Sequence, residues 1–409
     1  MQIAQVSTQI PDSSTVHIFL IPSWYPNKKV PHQGLFISEQ IKALSAHDEA
    51  YNFSVFSWGN DEFFVPMRRP VDAISAVLRR MGATRRFQRV ALVNEYLYPV
   101  LTFHHWIPAF TEWRLFRAAN RAFKDSQSRS GKISIIHAHC SYPGGVIAHK
   151  LARQHNLPYL ITEHSGPFPA PSLEGSKRVV RSMLTALQSA TAVIAVSSAL
   201  SQIVESFCSR KIRVIPNLVN ESHFLLKAPL NEPFSFITIA DLTFEKGLPI
   251  LIEAIALCKS QGLNPHIEIV GIGPEEEQLK IRSEKLGIAE LISWKGRVHP
   301  DLVSAHLKNS NCLILPSRGE TFGVVLVEAL MSGLPIIATD CGGPRDIVND
   351  VNGTLIAIDD ARQLADAMKN MIMNFNQYDS DLIRRQAIEK FGCAAISNEL
   401  RSVYREVLK

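Results

Sequence analysis

The sequence predicts an α/β protein made of two doubly wound parallel sheets, and three observations predict it. Short β-branched runs alternate with helical patterns along the chain, the pattern of strands joined by crossover helices. Two such series flank an aperiodic stretch with three prolines, PNLVNESHFLLKAPLNEP (216–233), which reads as a linker. The 409 residues, 46% hydrophobic and 20% charged, suit two or three domains with sizeable cores and exclude disordered, collagen-like and coiled-coil classes.

In the first series the strands are expected at 17–21, 53–58, 133–138, 158–162, 192–196 and 212–215. In the second they are expected at 234–240, 266–270, 291–294, 312–316, 335–339 and 354–358. Helical patterns fill 35–46, 144–154, 180–190, 248–260, 275–286 and 323–332. Parallel strands require such crossovers, and both sheet faces then become buried. The domains expected are 1–216, a linker at 217–233, a second domain at 234–390 and a terminal amphipathic helix at 391–409. Two such domains facing each other make a cleft, and ligands of these sheets sit at the carboxyl ends of strands.

The six cysteines (140, 208, 258, 312, 341, 393) include no CxxC pair, so neither a zinc knuckle nor a redox dithiol is expected. A reducing, cytoplasmic compartment fits. The opening MQIAQVSTQIPDSS lacks a basic and then apolar leader, and no run of ~18 apolar residues predicts a membrane span.

The strongest motif is Pro316-Ser317-Arg318-Gly319-Glu320-Thr321-Phe322-Gly323, followed by VVLVEALMSGLPIIATD. A strand should end at Pro316 and a helix begin near Gly323, placing free backbone N–H groups where an anion binds. On a single helix Glu320 and Glu328 would point about 80° apart. They are therefore assigned to loop and helix respectively, each touching a different part of one ligand. Glu328 is the only charge in VVLVEALM. A buried lone carboxylate is costly unless it is hydrogen-bonded, so an internal partner, an edge of the helix reaching water, or a ligand must satisfy it.

Leu242-Thr243-Phe244-Glu245-Lys246-Gly247 follows a strand. Its lysine reads either as a phosphate contact or as a solvated turn residue. VGIGP (270–274) is half a dinucleotide fingerprint, and the acids Glu275, Glu276 and Glu277 behind it disfavour a pyrophosphate at that helix. In the first series, His139 in HAHC is expected at the strand's lip and His137 inside the core. His164 in TEHSGP holds a position like that of His139. No carboxylate or thiolate completes a coordination set with them, so no metal is expected. In the loop 21–40, Trp24 and Tyr25 read either as a sugar-stacking pair or as packing. Gly34 reads either as a point of close approach to a ligand or as a turn residue.

These motifs resemble the retaining glycosyltransferases of the GT-B fold, glycosyltransferase family 4, over nearly the whole chain. Glu320-x7-Glu328 is the most specific element. EKG at 245–247, VGIGP, HAH at 137–139, TEH at 162–164 and VIPNLVN at 214–220 support it, and PSWYP…GLFISEQ resembles members that build exopolysaccharides or other envelope glycans. The resemblance implies two Rossmann-like domains facing a central cleft, with the last helix crossing back to the N-terminal, acceptor-binding domain. It implies a nucleotide-diphosphate sugar donor and no cofactor. Lys246 would neutralise the diphosphate, and Glu320 would bind the transferred sugar. Backbone N–H groups from Phe322 through Gly323 to Val324 would hold phosphate, with Thr321 also in the donor site. Glu328 would bind the ribose, and Arg297 and Val298 would lie against the base. His139 would stand at the reacting centre, with Gly34 and His164 along the cleft. Where many members carry an arginine, this chain has Asp241, and Arg318 or Arg297 would supply the missing charge. The alternatives are a nucleotide-sugar 2-epimerase and a catalytically inactive glycosyltransferase-like subunit.

Seven arginines lie between Arg68 and Arg89 (68, 69, 79, 80, 85, 86, 89) against one acid, Asp72. Phe87, Tyr96, Tyr98, Phe103, Trp106, Phe110 and Trp113 accompany and follow them. Such a segment, 68–113, fits peripheral contact with an anionic membrane on the inner face of the plasma membrane, where a lipid-linked acceptor would lie. The alternative is a solvated basic helix followed by a packed one. The net charge of +5 comes with no nucleic-acid-binding module, and no nucleic acid is expected.

Overall fold

The computed structural model describes residues 15–409 apart from 28–29, 31–32, 48–49, 60–61, 66–69, 91, 104–106, 170–175 and 227–232. The chain forms two compact units. Unit 1 comprises Met1–Ala195, Ile203–Arg213 and Ser397–Lys409; unit 2 comprises Val196–Gln202 and Val214–Ile396.

Unit 1 is built on β1 (Val16–Pro22), β2 (Tyr51–Ser57), β3 (Arg86–Val90), β4 (Val93–Leu97), β5 (Ile135–His139), β6 (Tyr159–Glu163), β7 (Ala192–Ala195) and β8 (Arg213–Val214). Their order in the sheet is β3-β4-β2-β1-β5-β6-β7-β8. Residues 17–22 of β1 and all of β5 and β6 are buried, which is why their sequences are continuous apolar runs. Phe19 packs edge-to-face on Phe123 at 5.4 Å. The last helix, Cys393–Val407, sends its C-terminal part into this unit. There the buried Tyr404 hydroxyl meets His137 Nδ1 at 2.8 Å.

Unit 2 contains β9 (Ser235–Ile239), β10 (His266–Val270), β11 (Ile292–Gly296), β12 (Cys312–Leu315), β13 (Ile336–Thr339) and β14 (Gly353–Ile356), all parallel, in the order β11-β10-β9-β12-β13-β14. Its core joins Phe236, Ile267, Ile269, Ile314 and Ile337 of the sheet to Leu251, Ile255, Leu364 and Met368 of the helices Leu248–Ser260 and Ala361–Met373. In each sheet the winding direction reverses once, between β1 and β5 and between β9 and β12. Such reversals open the crevice where α/β sheets take ligands.

Every strand foreseen from the sequence is present. What periodicity did not show is β3–β4, an antiparallel hairpin. All five residues of RFQRV are exposed, so no buried alternation marks a strand. The basic segment is accordingly not one helix: the helix ends at Gly82, and Arg86 and Arg89 lie on β3. Tyr96 and Tyr98 are core residues rather than interfacial ones. Arg68, Arg69 and Trp106 lie outside the described residues. The stretch expected as a linker is packed where described. Asn217, Leu218 and Val219 are buried, and Arg384 donates to the carbonyls of Phe224, at 2.8 Å, and Glu221, at 3.2 Å.

Candidate active site

In unit 2 the loops after β9 and β12 meet at the reversal of the sheet. Lys246 closes the first loop, and its Nζ donates to Glu320 Oε1 at 2.6 Å. The buried Ser317 hydroxyl donates to the same oxygen at 2.8 Å, and Thr339 Oγ1 bonds the carbonyl of Ser317. The backbone of Glu320 is pinned as well, because its carbonyl accepts the Gly343 N–H at 2.8 Å. A chain of groups from β13 through Ser317 to Lys246 therefore fixes one carboxylate oxygen. The other, Oε2, has no protein donor among the described residues.

Gly323 precedes the helix Val324–Met331 without a side-chain cap, leaving its first-turn N–H groups without side-chain partners. Thr321 and Val324 are half-buried beside it. Phe322 is buried and meets Phe391 edge-to-face at 5.9 Å, so its side chain anchors the loop while its backbone faces the helix start. Glu328 is half-buried, and no protein group hydrogen-bonds its carboxylate among the described residues. Burial pushes its pKa up from 4.5 to about 7. No internal partner is present among the described residues, which leaves the helix edge reaching water and the ligand as the two alternatives for this half-buried residue.

Arg318 does not supply free charge. Its guanidinium pairs with Asp359 at 2.9 Å, donates to the Phe244 carbonyl at 2.5 Å and stacks over the Phe244 ring at 4.0 Å. Its own N–H donates to the Glu245 carbonyl at 2.7 Å. It is a clasp that holds the lysine loop against the glutamate loop. Asp241 is exposed. Arg297 is exposed and Val298 half-buried; they follow β11, whose Gly296 carbonyl accepts the Gly271 N–H at 2.8 Å. The VGIGP glycines serve close backbone packing. A Cβ on Gly271 would lie 1.8 Å from the Ala240 carbonyl oxygen, and one on Gly273 2.3 Å from that of Leu242.

Unit 1 gathers His137, His139 and His164. His139 ends β5 but is fully buried, so it is not at an open lip. Its Nδ1 meets His164 Nε2 at 2.9 Å, and its ring stacks on His137 at 4.4 Å between centroids. Its Nε2 is buried without a partner among the described residues. His137 lies in the core as expected, held by Tyr404 and by Thr162 Oγ1 at 2.8 Å. Burial and the adjacent histidines hold the pKa of His139 well below the usual range, and burial with His164 lowers that of His137 to about 3. Glu163, not singled out in the sequence, braces the loops behind them by accepting from Ser141 N (2.8 Å), His164 N (3.0 Å) and Ser165 N (2.9 Å). Gly34 adopts φ +70° where a Cβ would lie 2.6 Å from the Trp24 carbonyl oxygen, so its requirement is a backbone contact. Phe36, just after it, lies 5.0 Å from the His164 ring. Ser317, Thr339 and Glu163 carried no signal of their own, although Ser317 stands three residues before Glu320. Among the described residues no three His, Cys, Asp or Glu side chains converge as metal ligands.

Two family profiles match the chain: Glycosyltransferase Family 4 over residues 71–223 and Glycosyl transferases group 1 over residues 223–386. Lys246, Glu320 and Glu328 lie in the second. A Bacillus subtilis glycosyltransferase named for teichuronic acid biosynthesis is 26% identical over 368 residues, 86% of this chain and 88% of that protein. An uncharacterised glycosyltransferase of Methanocaldococcus jannaschii is 24% identical over 320 residues, covering 73% and 82%. Among solved structures, sucrose-phosphate synthase from Thermosynechococcus elongatus superposes with a TM-score of 0.72 at 17% identity over 96% of this chain and 99% of that one. HepE of Anabaena, solved in complex with UDP, gives 0.69 at 18% over 96% and 100%. These likenesses establish the fold as GT-B.

Proposed function

Because the chain belongs to the glycosyltransferases of the group 1 and family 4 type, we propose that it moves a sugar from a nucleotide-diphosphate donor to an acceptor hydroxyl with retention at the anomeric carbon. The observation that carries this reading is the Lys246–Glu320 pair beside the uncapped helix start at Gly323, with the unpartnered Glu328 one turn further on. Lys246 and the N–H groups at 322–324 would stabilise the charge that builds on the departing diphosphate, a preorganised electrostatic effect. Glu320 Oε2 would accept a hydroxyl of the transferred sugar, and Glu328 would take two hydroxyls of the ribose. Arg297 and Val298 would border the base. The bond from the anomeric carbon to the phosphate oxygen breaks, the acceptor oxygen bonds to that carbon on the same face, and the acceptor proton passes to the leaving phosphate. No cofactor enters this step.

The complexes of HepE with UDP and with UDP-glucose support a uridine diphosphate donor. The teichuronic acid and colanic acid assignments of relatives support an acceptor in envelope polysaccharide synthesis, a glycan or a lipid-linked saccharide. Cytoplasmic work at the inner membrane face through 68–113 fits that acceptor; no helix among the described residues is long and apolar enough to cross a membrane. Thermal shift with UDP, GDP and ADP tests the donor site. One nucleotide should stabilise the protein, and both Lys246→Ala and Glu328→Ala should weaken that effect at least tenfold in apparent Kd. Stabilisation by none of the three would overturn the reading. The anomeric configuration of the product, read by NMR, tests retention.

A further inference from the structure

Unit 1 contains a pocket of ≈ 400 Å³ at the carboxyl ends of β1, β2 and β4, walled on one side by Leu78, Arg79 and Gly82 of the helix Pro70–Gly82. Its lining mixes three chemistries. Trp58 and Phe63 give apolar ring surface, Glu62 and Glu95 give carboxylates, and Arg79 and Arg86 give positive charge. Glu95 is held in place by Tyr25 Oη and by Gln88 Nε2, each at 2.6 Å. Arg79 uses Nε on the Glu62 carbonyl (3.1 Å) and Nη1 on Ser75 (2.5 Å), which leaves Nη2. Arg86 has no side-chain partner among the described residues. Carboxylates beside an aromatic ring suit a sugar, and two arginines without an ion pair suit a phosphate.

The same helix has a second face. Val71, Ile74, Leu78 and Met81 are 78%, 61%, 62% and 77% exposed. At ~100° per residue they fall, with Val77, in an arc of roughly 120°. That arc lies nearly opposite Ala76, which is fully buried, so the apolar face points away from the protein. A second exposed patch lies at the start of the helix Pro108–Ser130. Ile107, Phe110 and Trp113 are 48%, 41% and 49% exposed, with Arg114 and Arg117 over the Phe110 and Trp113 rings at 5.6 and 4.9 Å. None of Arg80, Arg86, Arg114 and Arg117 pairs with a carboxylate among the described residues. An apolar arc edged by unneutralised arginines matches an anionic leaflet, with acyl chains in the middle and phosphates at the edge. A second copy of this face would set arginine against arginine.

Leu78 belongs both to the outer arc and to the pocket wall, so the pocket opens beside the surface that would rest on lipid. We propose that the pocket takes the sugar–phosphate head of a lipid-linked acceptor, delivered from an anionic bilayer on which the helix Pro70–Gly82 lies. This rests on the transferase reading and decides between the two acceptor classes it allows.

The test uses the full chain with saturating UDP, so that the donor site is filled. Titration with farnesyl diphosphate, farnesol and inorganic pyrophosphate should show farnesyl diphosphate binding at least tenfold tighter than either part. Arg79→Glu/Arg86→Glu should lose at least tenfold of that affinity. Leu78→Gln/Met81→Gln, at exposed positions, should lose at least tenfold in co-sedimentation with phosphatidylcholine vesicles containing 30% phosphatidylglycerol. Both variants should keep the thermal shift given by UDP. Farnesyl diphosphate binding that the arginine variant retains would overturn the proposal. So would equal sedimentation with pure phosphatidylcholine vesicles, or a wild-type dimer that the leucine–methionine variant dissolves. Absence in the wild type of a shift by UDP, GDP and ADP alike would instead strike the transferase reading.

Discussion

Glu328 sits half-buried with no hydrogen bond to its carboxylate among the described residues, and its folded-state pKa is raised from 4.5 to about 7. A raised acid favours the folded state while protonated, so this contribution is fully present below pH 4.5 and lost as pH rises through 7. With ~1.36 kcal/mol per pH unit, reduced for its partial exposure, the loss is on the order of 2–3 kcal/mol. Glu328→Gln removes it. The variant should melt on the order of 5 °C higher at pH 8 than the wild type and respond less to nucleotide, a pairing that calorimetry with and without UDP can check. A variant that is stabilised and binds UDP as before would free Glu328 from the donor. The histidines run the other way. Burial holds His137 near 3 and His139 well below the usual range, so their contribution is present above the unfolded value of 6.5 and lost as pH falls. In the Glu328→Gln background, which removes the opposing group, urea midpoints should drop between pH 7.5 and 5, with unfolding taking up more protons at the lower pH. Glu320, Glu328 and Lys246 were legible in the sequence because charge interrupts an apolar run or abuts a glycine. The role of Arg318 was not, since only the fold brings Asp359 and Phe244 to it. Nor was the burial of His139, which depends on what packs over the end of β5.

At the scale of elements, the sequence reveals whatever the sheet buries. β1, β5, β9 and β12 read as apolar runs because both of their faces are covered. β3 escaped because all five of its residues are exposed and its arginines obey no period. The terminal helix Cys393–Val407 was legible as amphipathic, and its apolar residues Ile396, Leu400, Val403 and Tyr404 are buried as that pattern requires. Its contribution concentrates in Tyr404, fully buried, 2.8 Å from His137 and 6.1 Å from the Tyr51 ring. Tyr404→Phe keeps the ring but leaves His137 Nδ1 unpaired, which should cost about 1–3 kcal/mol. Tyr404→Ala adds a cavity and should cost about 3–5 kcal/mol. Urea unfolding followed by fluorescence would rank the two. Equal losses would mean that the hydroxyl contributes nothing beyond packing.

At the scale of the whole chain, both units are assembled from discontinuous stretches, and this sets what each can do alone. Unit 2 borrows only Val196–Gln202 from outside its continuous span. Ser198 N of that stretch donates to Asp346 at 2.6 Å, at the surface. The core cluster of unit 2 comes wholly from residues 236–375. Unit 1 takes Ser397–Lys409 from the far end of the chain, and with it the buried side chains of Leu400, Val403 and Tyr404. Lacking them, residues 1–213 would expose apolar surface of the sheet and leave His137 Nδ1 unpaired, losses that together take a large share of a domain's stability margin. The two fragments should therefore behave unequally. Residues 214–396 should fold alone, show a cooperative melt and keep the nucleotide shift, because Lys246, Glu320 and Glu328 all lie within them. Residues 1–213 should aggregate or melt far lower, and a peptide of residues 393–409 added in trans should raise that melt in a concentration-dependent way, an effect the Tyr404→Ala peptide should lack. If residues 1–213 prove as stable as the intact protein, the terminal helix is an appendage of unit 1 rather than part of its core.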